Sequence, residues 1–269
     1  VTQINILVGT IIASFQASAV SYLYYADRVY QINLAIAGIA ISTVVLPKLS
    51  KLIDGKIDVE IENIQNKALE LSLFLSLPAA VALILAAEPI ISSLFGYGSF
   101  SNFGVKNSAE ALFYFAFGLP AFAMIKVFST FFFARHETKL PFYISLISVI
   151  INVLISLLFF KQVGFIIIPI ATTFSSWVNV ILLYYFIMKK SFFNFNKLFK
   201  SRFPRIVFSS LFMGIILYLL LEKSGSKLHY DEDFKILYLL FNIFIGLISY
   251  FLISFLVKAF KLSDIKIKY

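Results

Sequence analysis

A polar cluster inside an apolar stretch is the first candidate for chemistry in this sequence: Tyr24-Tyr25-Ala26-Asp27-Arg28-Val29-Tyr30-Gln31. In a helix, Arg28 and Gln31 share one face with Tyr24, while Asp27 points about 100° away from Arg28. A guanidinium in a hydrated cavity suits phosphate oxygens, because its donors form a planar fork. The alternative is that Arg28 extends to the membrane surface among tyrosines, with Asp27 capping or pairing locally.

Lys126 is a second charge within an apolar stretch, about midway through Ala109–Phe133. An ammonium near the middle of a bilayer costs at least about 2.5 kcal/mol unless it faces water or a partner. Lys126 is therefore either a cation of a substrate cavity or a lysine paired within the bundle.

Amide and hydroxyl side chains form a third group, Asn152, Ser156, Thr172, Thr173, Ser175, Ser176 and Asn179. Such residues join membrane helices by hydrogen bonds, which is the interpretation we favour. The same side chains could also coordinate a cation, and no other metal site is predicted.

The elements that position these residues are long apolar segments. Of the 269 residues, 60% are hydrophobic and 14% charged, which excludes an ordinary soluble domain. About 20 apolar residues span a bilayer as a helix. We predict an all-α polytopic membrane protein with about eight spans: Val1–Phe15, Val20–Leu46, Leu69–Phe95, Ala109–Phe133, Pro141–Phe160, Gly164–Met188, Ile206–Leu221 and Phe234–Val257. The segment Ser50–Lys67 is expected to be a solvated connection with a short surface helix.

The basic residues indicate the orientation. Sixteen Lys and Arg fall in one set of alternate loops and the tail, and five fall in the other. The richer set faces the cytoplasm by the positive-inside rule, so both ends of this segment are predicted to be cytoplasmic. The net charge of +9 then reflects topology and contact with anionic membrane lipids, not nucleic-acid binding.

Catalytic motifs are missing from the sequence. It has no Cys, and its two His residues, His136 and His229, are far apart without a nearby carboxylate cluster. No nucleophile elbow or phosphate-binding glycine loop occurs. We therefore expect no catalytic activity and no cofactor.

Several motifs in order resemble the MurJ/MviN family of lipid II flippases, in the MOP exporter superfamily. They are Tyr24 to Arg28 followed by Val45-Leu46-Pro47-Lys48-Leu49-Ser50, Leu77-Pro78-Ala79-Ala80, Ala87-Glu88-Pro89-Ile90, Leu94-Phe95-Gly96-Tyr97-Gly98-Ser99-Phe100, Gly118-Leu119-Pro120-Ala121-Phe122, and Phe133-Ala134-Arg135-His136-Glu137-Thr138-Lys139-Leu140-Pro141. The resemblance implies a fold of fourteen helices in two lobes, of which this chain supplies helices seven to fourteen. Residues 1–190 would form the C-terminal lobe, and residues 191–269 the last two helices, with a groove for a lipid tail, and a cytoplasmic tail. The start at Val1 fits a cut through a larger protein.

The resemblance also implies a function: flipping lipid II, the undecaprenyl-pyrophosphate-linked peptidoglycan precursor, across the bacterial inner membrane by alternating access, for cell-wall biogenesis and cell shape. Arg28 would meet the pyrophosphate, with Asp27, Gln31 and Lys126 as weaker substrate-binding candidates. The N-terminal lobe would be a partner in cis or in trans.

Two departures from the family leave alternatives open. Positions that carry acidic residues of a sodium site in some members look like Gly9 and Ser156 here, which weakens a cation site at Asn152 and Thr172. The alternatives to lipid II transport are export of another lipid-linked oligosaccharide or a drug, or a non-transporting membrane fragment of a split gene.

Overall fold

The structure is a computed structural model that describes residues 2–55 and 58–260. Within these ranges, the structure describes only the backbone of residues 2–5, 39–41, 54, 55 and 58. Four lysines of the predicted cytoplasmic set lie outside the described residues: Lys56, Lys261, Lys266 and Lys268. The predicted tail of the second domain lies largely outside them as well.

The described residues form α-helices joined by short connections, which confirms the all-α membrane class. The α-helices are α1 (Thr2–Ala13), α2 (Ala19–Leu34), α3 (Ile41–Gly55), α4 (Asp58–Leu85), α5 (Ala87–Phe95), α6 (Asn102–Phe133), α7 (Lys139–Val163), α8 (Ile167–Lys189), α9 (Lys197–Lys223) and α10 (Lys235–Leu256). A π-helical segment, Ala35–Ala40, joins α2 to α3 without a loop.

Six helical stretches of the described chain are long and apolar enough to cross a membrane. The longest, Lys139–Lys189, contains both α7 and α8, which are separated at Gly164. Gly164 has φ +75°, a left-handed conformation that a residue without a side chain adopts at little cost. The next backbone N–H, from Phe165, donates to Gln16 Oε1 at 2.9 Å and so ties this turn to the connection between α1 and α2.

The prediction for Ser50–Lys67 is wrong, because most of that segment extends α3 and α4. The first turns of α4 have a buried face that includes Ile61 and Gln65, so packing stabilises helix there despite the polar sequence.

The prediction of a single span over Leu69–Phe95 is also wrong. The α-helix ends at Leu85 and restarts at Ala87. Pro89 has no N–H to donate to the Leu85 carbonyl, and its ring clashes with a helical carbonyl four residues earlier. The helix therefore breaks just before this proline.

Alternate connections gather at two opposite ends of the bundle, as the loop pattern predicts. At the end that we call the lysine-rich end, Gln65 of α4 donates to the Phe192 carbonyl at 2.9 Å, and Lys190 pairs with Glu137 at 2.6 Å. Arg135 also donates to the Phe192 carbonyl, at 3.0 Å. The connections between α6 and α7 and between α8 and α9 are thus held together.

Lys235 holds the opposite end together. This residue is 1% exposed, and its ammonium donates to the carbonyls of Gly96 at 2.9 Å and Tyr230 at 2.6 Å. The Tyr97 ring lies 4.4 Å from the same nitrogen. The start of α10 is therefore fixed to the turn that follows α5, although the two are far apart in sequence.

The outer surface of the last two helices is apolar. Exposed side chains of α10 include Phe241, Phe244 and Leu252, and α9 exposes Leu211 and Ile215. In water such a surface would be unstable, but it suits contact with hydrocarbon. The chain is a multi-pass membrane protein.

A buried ion pair joins α9 to the core. Arg202 Nη1 lies 2.7 Å from Glu70 Oε1 of α4, with side chains 4% and 5% exposed. Lys67, which is 29% exposed, bonds to the same oxygen at 3.2 Å. Removing one member of a buried pair leaves an uncompensated charge, so Glu70 is expected to be critical for the docking of α9.

We predict that Glu70→Ala destabilises the protein by about 3–5 kcal/mol, because it leaves the buried Arg202 without this carboxylate. The matched variant Lys67→Ala breaks a bond to the same oxygen at a more exposed position and should cost less than about 1 kcal/mol. Unfolding in detergent, followed by circular dichroism, measures both. Equal losses would show that the buried pair does not hold α9.

Candidate functional site

Arg28 lies on an exposed face of α2. Its guanidinium carbon is 4.6 Å from the centre of the Tyr24 ring, one turn earlier, and Tyr24 is 53% exposed. Gln31 Nε2 donates to Asp27 Oδ2, so the two weaker candidates are bound to each other. The tyrosine supports the cation, and the amide orients the carboxylate beside it.

The opposite face of α2 is buried, and it determines which side chains the helix presents outward. Ala26, Val29 and Tyr30 are 6% exposed or less. The Tyr30 ring packs against Phe115 and Phe122 of α6, each at 5.6 Å between ring centres. Arg28 therefore cannot turn into this bundle, and its face is available to water, substrate or another protein segment.

The π-helical turn after α2 widens the helix in the same region. The Ala37 carbonyl accepts a hydrogen bond from Ser72 Oγ of α4 at 2.8 Å. A π-helical turn disturbs the regular hydrogen-bond ladder, and such turns are frequent at functional sites. Ser72 supplies a partner from the neighbouring helix and stabilises the distorted turn.

Lys126 lies beside this turn. It is exposed, and a Cβ added at Gly38 would lie 3.3 Å from Lys126 Cγ and 3.3 Å from the Cα of Ala123. Gly38 thus allows α6 and the π-helical segment to approach closely, and the aliphatic part of the Lys126 side chain lies at this contact. Arg28 is ten residues before Gly38, so the backbone positions of these two residues lie about 15 Å apart along the helix axis.

Sequence reasoning singled out the charged residues but missed Gly38 and Ser72. The available signal was the small-residue run Ala35-Ile36-Ala37-Gly38-Ile39-Ala40, which is typical of close contact between membrane helices. No pattern in the sequence indicated that Ser72 would bond to that segment.

Asn152 and Thr172 occupy a different place, between α7 and α8. Asn152 Nδ2 donates to Thr172 Oγ1 at 3.0 Å, and its Oδ1 accepts from Ser156 Oγ at 3.2 Å. Asn152 is 5% exposed. The amide thus bonds to both helices of the hairpin. In the described part of the chain, no group of three or more His, Cys, Asp or Glu residues could hold a metal ion.

We predict that Asn152→Ala destabilises the protein by about 0.6–1.7 kcal/mol, the range of hydrogen bonds between membrane helices. If the amide only joins α7 to α8, this loss is the same with sodium and with potassium in an unfolding experiment. A stabilisation by sodium that the variant loses would instead support a cation site.

Electrostatics limits what the exposed face of α2 and α6 can contact. A charged side chain facing the middle of the lipid costs at least about 2.5 kcal/mol. The exposed side chains of Arg28 and Lys126 therefore suit an aqueous cavity or a protein contact, and in a cavity each can bind an anionic group. The guanidinium would bind it bidentately and the ammonium as a point charge.

Comparison with known proteins identifies relatives over nearly the whole chain. The family model described as "Lipid II flippase MurJ" matches residues 1–239. A protein of Rhizobium meliloti (strain 1021) named "Probable lipid II flippase MurJ" is 39% identical over 222 residues, which cover 82% of this chain and 42% of the relative. One of the same name from Rickettsia prowazekii (strain Madrid E) is 35% identical over 266 residues, covering 96% and 51%.

A solved structure, "Lipid II flippase MurJ, inward closed conformation", has the same fold, with a TM-score of 0.78 and 27% sequence identity. The match covers 94% of this chain and 50% of the solved chain. The chain thus spans about half the length of the relatives that it matches.

Proposed function

The chain belongs to the MurJ family of lipid II flippases, and we propose that it forms the C-terminal part of such a flippase, helices seven to fourteen. The observation that carries the proposal is the structural match over 94% of this chain and half of a MurJ structure. We propose transport, not catalysis, as its activity. The substrate would be lipid II, moved from the inner to the outer leaflet.

Arg28 is proposed to bind the pyrophosphate of the substrate. A pyrophosphate cannot cross about 30 Å of hydrocarbon without groups that replace its water. Arg28 is exposed and supported by Tyr24, so its fork of donors is available to phosphate oxygens. Gln31 keeps the neighbouring carboxylate of Asp27 bonded, which limits its competition for the guanidinium.

Lys126 is proposed to be a second contact for the same anion, farther along the surface. Gly38, which lies against the Lys126 side chain, is ten residues and so about 15 Å along the helix axis from Arg28. We infer that the head group contacts the two cations in succession as it moves. An N-terminal lobe, in the same chain or a separate one, would cover this surface and complete a cavity, and rocking of the two lobes would expose it alternately.

We predict that Arg28→Ala abolishes flipping while the protein still folds. Losing charge-assisted hydrogen bonds worth about 1.5–3 kcal/mol each should slow transport at least about a hundredfold. Arg28→Lys keeps the charge without the fork and should retain partial activity. The measurement is growth of cells that depend on this protein as their only lipid II flippase.

The matched control is Arg205→Ala on α9, where the guanidinium bonds to the Lys258 carbonyl at 3.3 Å. It removes an arginine away from the proposed cavity and should support growth. Normal growth with Arg28→Ala at a normal protein level would refute the role of Arg28.

The proposed orientation places the lysine-rich end in the cytoplasm. Because the sequence contains no cysteine, single introduced cysteines report on their own positions. Lys106 lies at the start of α6 and Lys197 at the start of α9, at opposite ends, and both are exposed. We expect a membrane-impermeant maleimide to label Lys106→Cys but not Lys197→Cys in intact cells, and to label both after lysis. The opposite pattern in intact cells would reverse the orientation.

A further inference from the structure

A cavity of about 660 Å³ lies at the lysine-rich end, between α3, α4 and the start of α9. Val44, Lys48 and Lys51 of α3 line it at intervals of four and three residues, so they form one helical face. Lys67 and Leu71 of α4 line the facing wall, four residues apart. This cavity is separate from the exposed face that carries Arg28.

The lining changes in character with depth. Along α3, Lys48 lies about 6 Å nearer the end of the bundle than Val44, and Lys51 lies farther out. Along α4, which runs in the opposite direction, Lys67 lies about 6 Å farther out than Leu71. The lysine side chains thus begin near the membrane surface, while apolar side chains such as Val44 and Leu71 line the deeper part of the cavity.

The charge of the cavity is predominantly positive. It contains three lysines and two glutamates, and one of those, Glu70, is bonded both to Arg202 at 2.7 Å and to Lys67 at 3.2 Å, so Lys48 and Lys51 carry most of the excess positive charge. The other, Glu60, is exposed. Asn63 adds an amide to the outer part of the lining. Such an arrangement suits an anionic head group with an attached hydrocarbon chain.

We propose that this cavity binds an anionic phospholipid of the membrane. The phosphodiester lies near Lys48, Lys51 and Lys67, and an acyl chain lies beside Val44 and Leu71. A soluble anion would leave the deep apolar wall uncovered. A zwitterionic lipid would gain less, since lysines at the membrane surface attract anionic lipids most strongly. The proposal does not depend on which substrate the protein transports.

The experiment is native mass spectrometry of the protein as its cell produces it, in detergent with phosphatidylglycerol or with phosphatidylcholine of the same acyl chains. The wild type should retain phosphatidylglycerol in preference to phosphatidylcholine. The double variant Lys48→Gln/Lys51→Gln should lose about tenfold or more in apparent affinity for phosphatidylglycerol. Retention at the wild-type level would overturn the proposal.

The matched control is Lys139→Gln/Lys189→Gln, which removes two exposed lysines at the same end but outside the cavity lining. This control should bind phosphatidylglycerol like the wild type. An equal loss of affinity in both double variants would show that binding depends on general surface charge and not on this cavity. Val44→Trp, at a position 49% exposed, tests the apolar part by filling the cavity without changing charge. It should also reduce binding, with an unchanged melting temperature.

Two competitors separate the possible sources of the phosphate. Glycerol 3-phosphate should not displace the bound phospholipid, because it lacks the acyl chains. Undecaprenyl pyrophosphate should displace it no better than added phosphatidylglycerol does. Efficient displacement by glycerol 3-phosphate would show that the cavity is a simple anion site. Efficient displacement by undecaprenyl pyrophosphate would show that the cavity is part of the substrate path. Either result would overturn the proposal.

Discussion

The constraint on which the whole structure depends is the cost of placing a charge or an unpaired polar group in hydrocarbon. Backbone N–H and C=O groups avoid this cost by forming hydrogen bonds with each other within helices. Most charged side chains avoid it by their position at the two ends of the bundle, where connections rich in Lys and Arg alternate with poorer ones. The few charges within the apolar segments must instead face protein, water or a ligand, and that requirement makes Arg28 and Lys126 the strongest candidates for function.

The packing of α2 against α6 determines which side of α2 is exposed. Tyr30 sits between Phe115 and Phe122, so the Arg28 side of α2 faces away from the bundle. The contact at Gly38 lets α6 bring Lys126 beside the π-helical turn. Arg28 and Lys126 are the two cations that we propose contact the pyrophosphate in succession. Membership of the MurJ family gives this surface its proposed substrate.

The two ends of the bundle are held by different chemistry. At the lysine-rich end, the buried pair of Glu70 and Arg202 ties α9 to α4. At the opposite end, Lys235 uses backbone carbonyls and tyrosine rings. The last two helices are thereby fixed to the core at both ends, while their outer faces remain apolar. An arrangement of this kind keeps them aligned with the core while lipid contacts them from outside.

Most of the class and outline could be predicted from the sequence. Apolar runs of about 20 residues gave the spans, because spanning length is a local property of the chain. The limits of the helices were less predictable. Residues 50–67 look like a solvated loop, but buried side chains such as Ile61 extend the helix there. The break before Pro89 has a local cause, the proline itself, but the continuous apolar run around it led to the prediction of a single span.

The sequence by itself indicated an all-α membrane protein that resembles the MurJ family, and it singled out Arg28 as the leading candidate for substrate binding. These properties depend on residue type, on order and on spacing within single helices. Only the tertiary structure decided that Ser72 caps the Ala37 carbonyl, that Asn152 bonds to Thr172 and that Glu70 pairs with Arg202. Each of these contacts joins two helices, so it depends on how helix faces meet and not on any pattern within one of them.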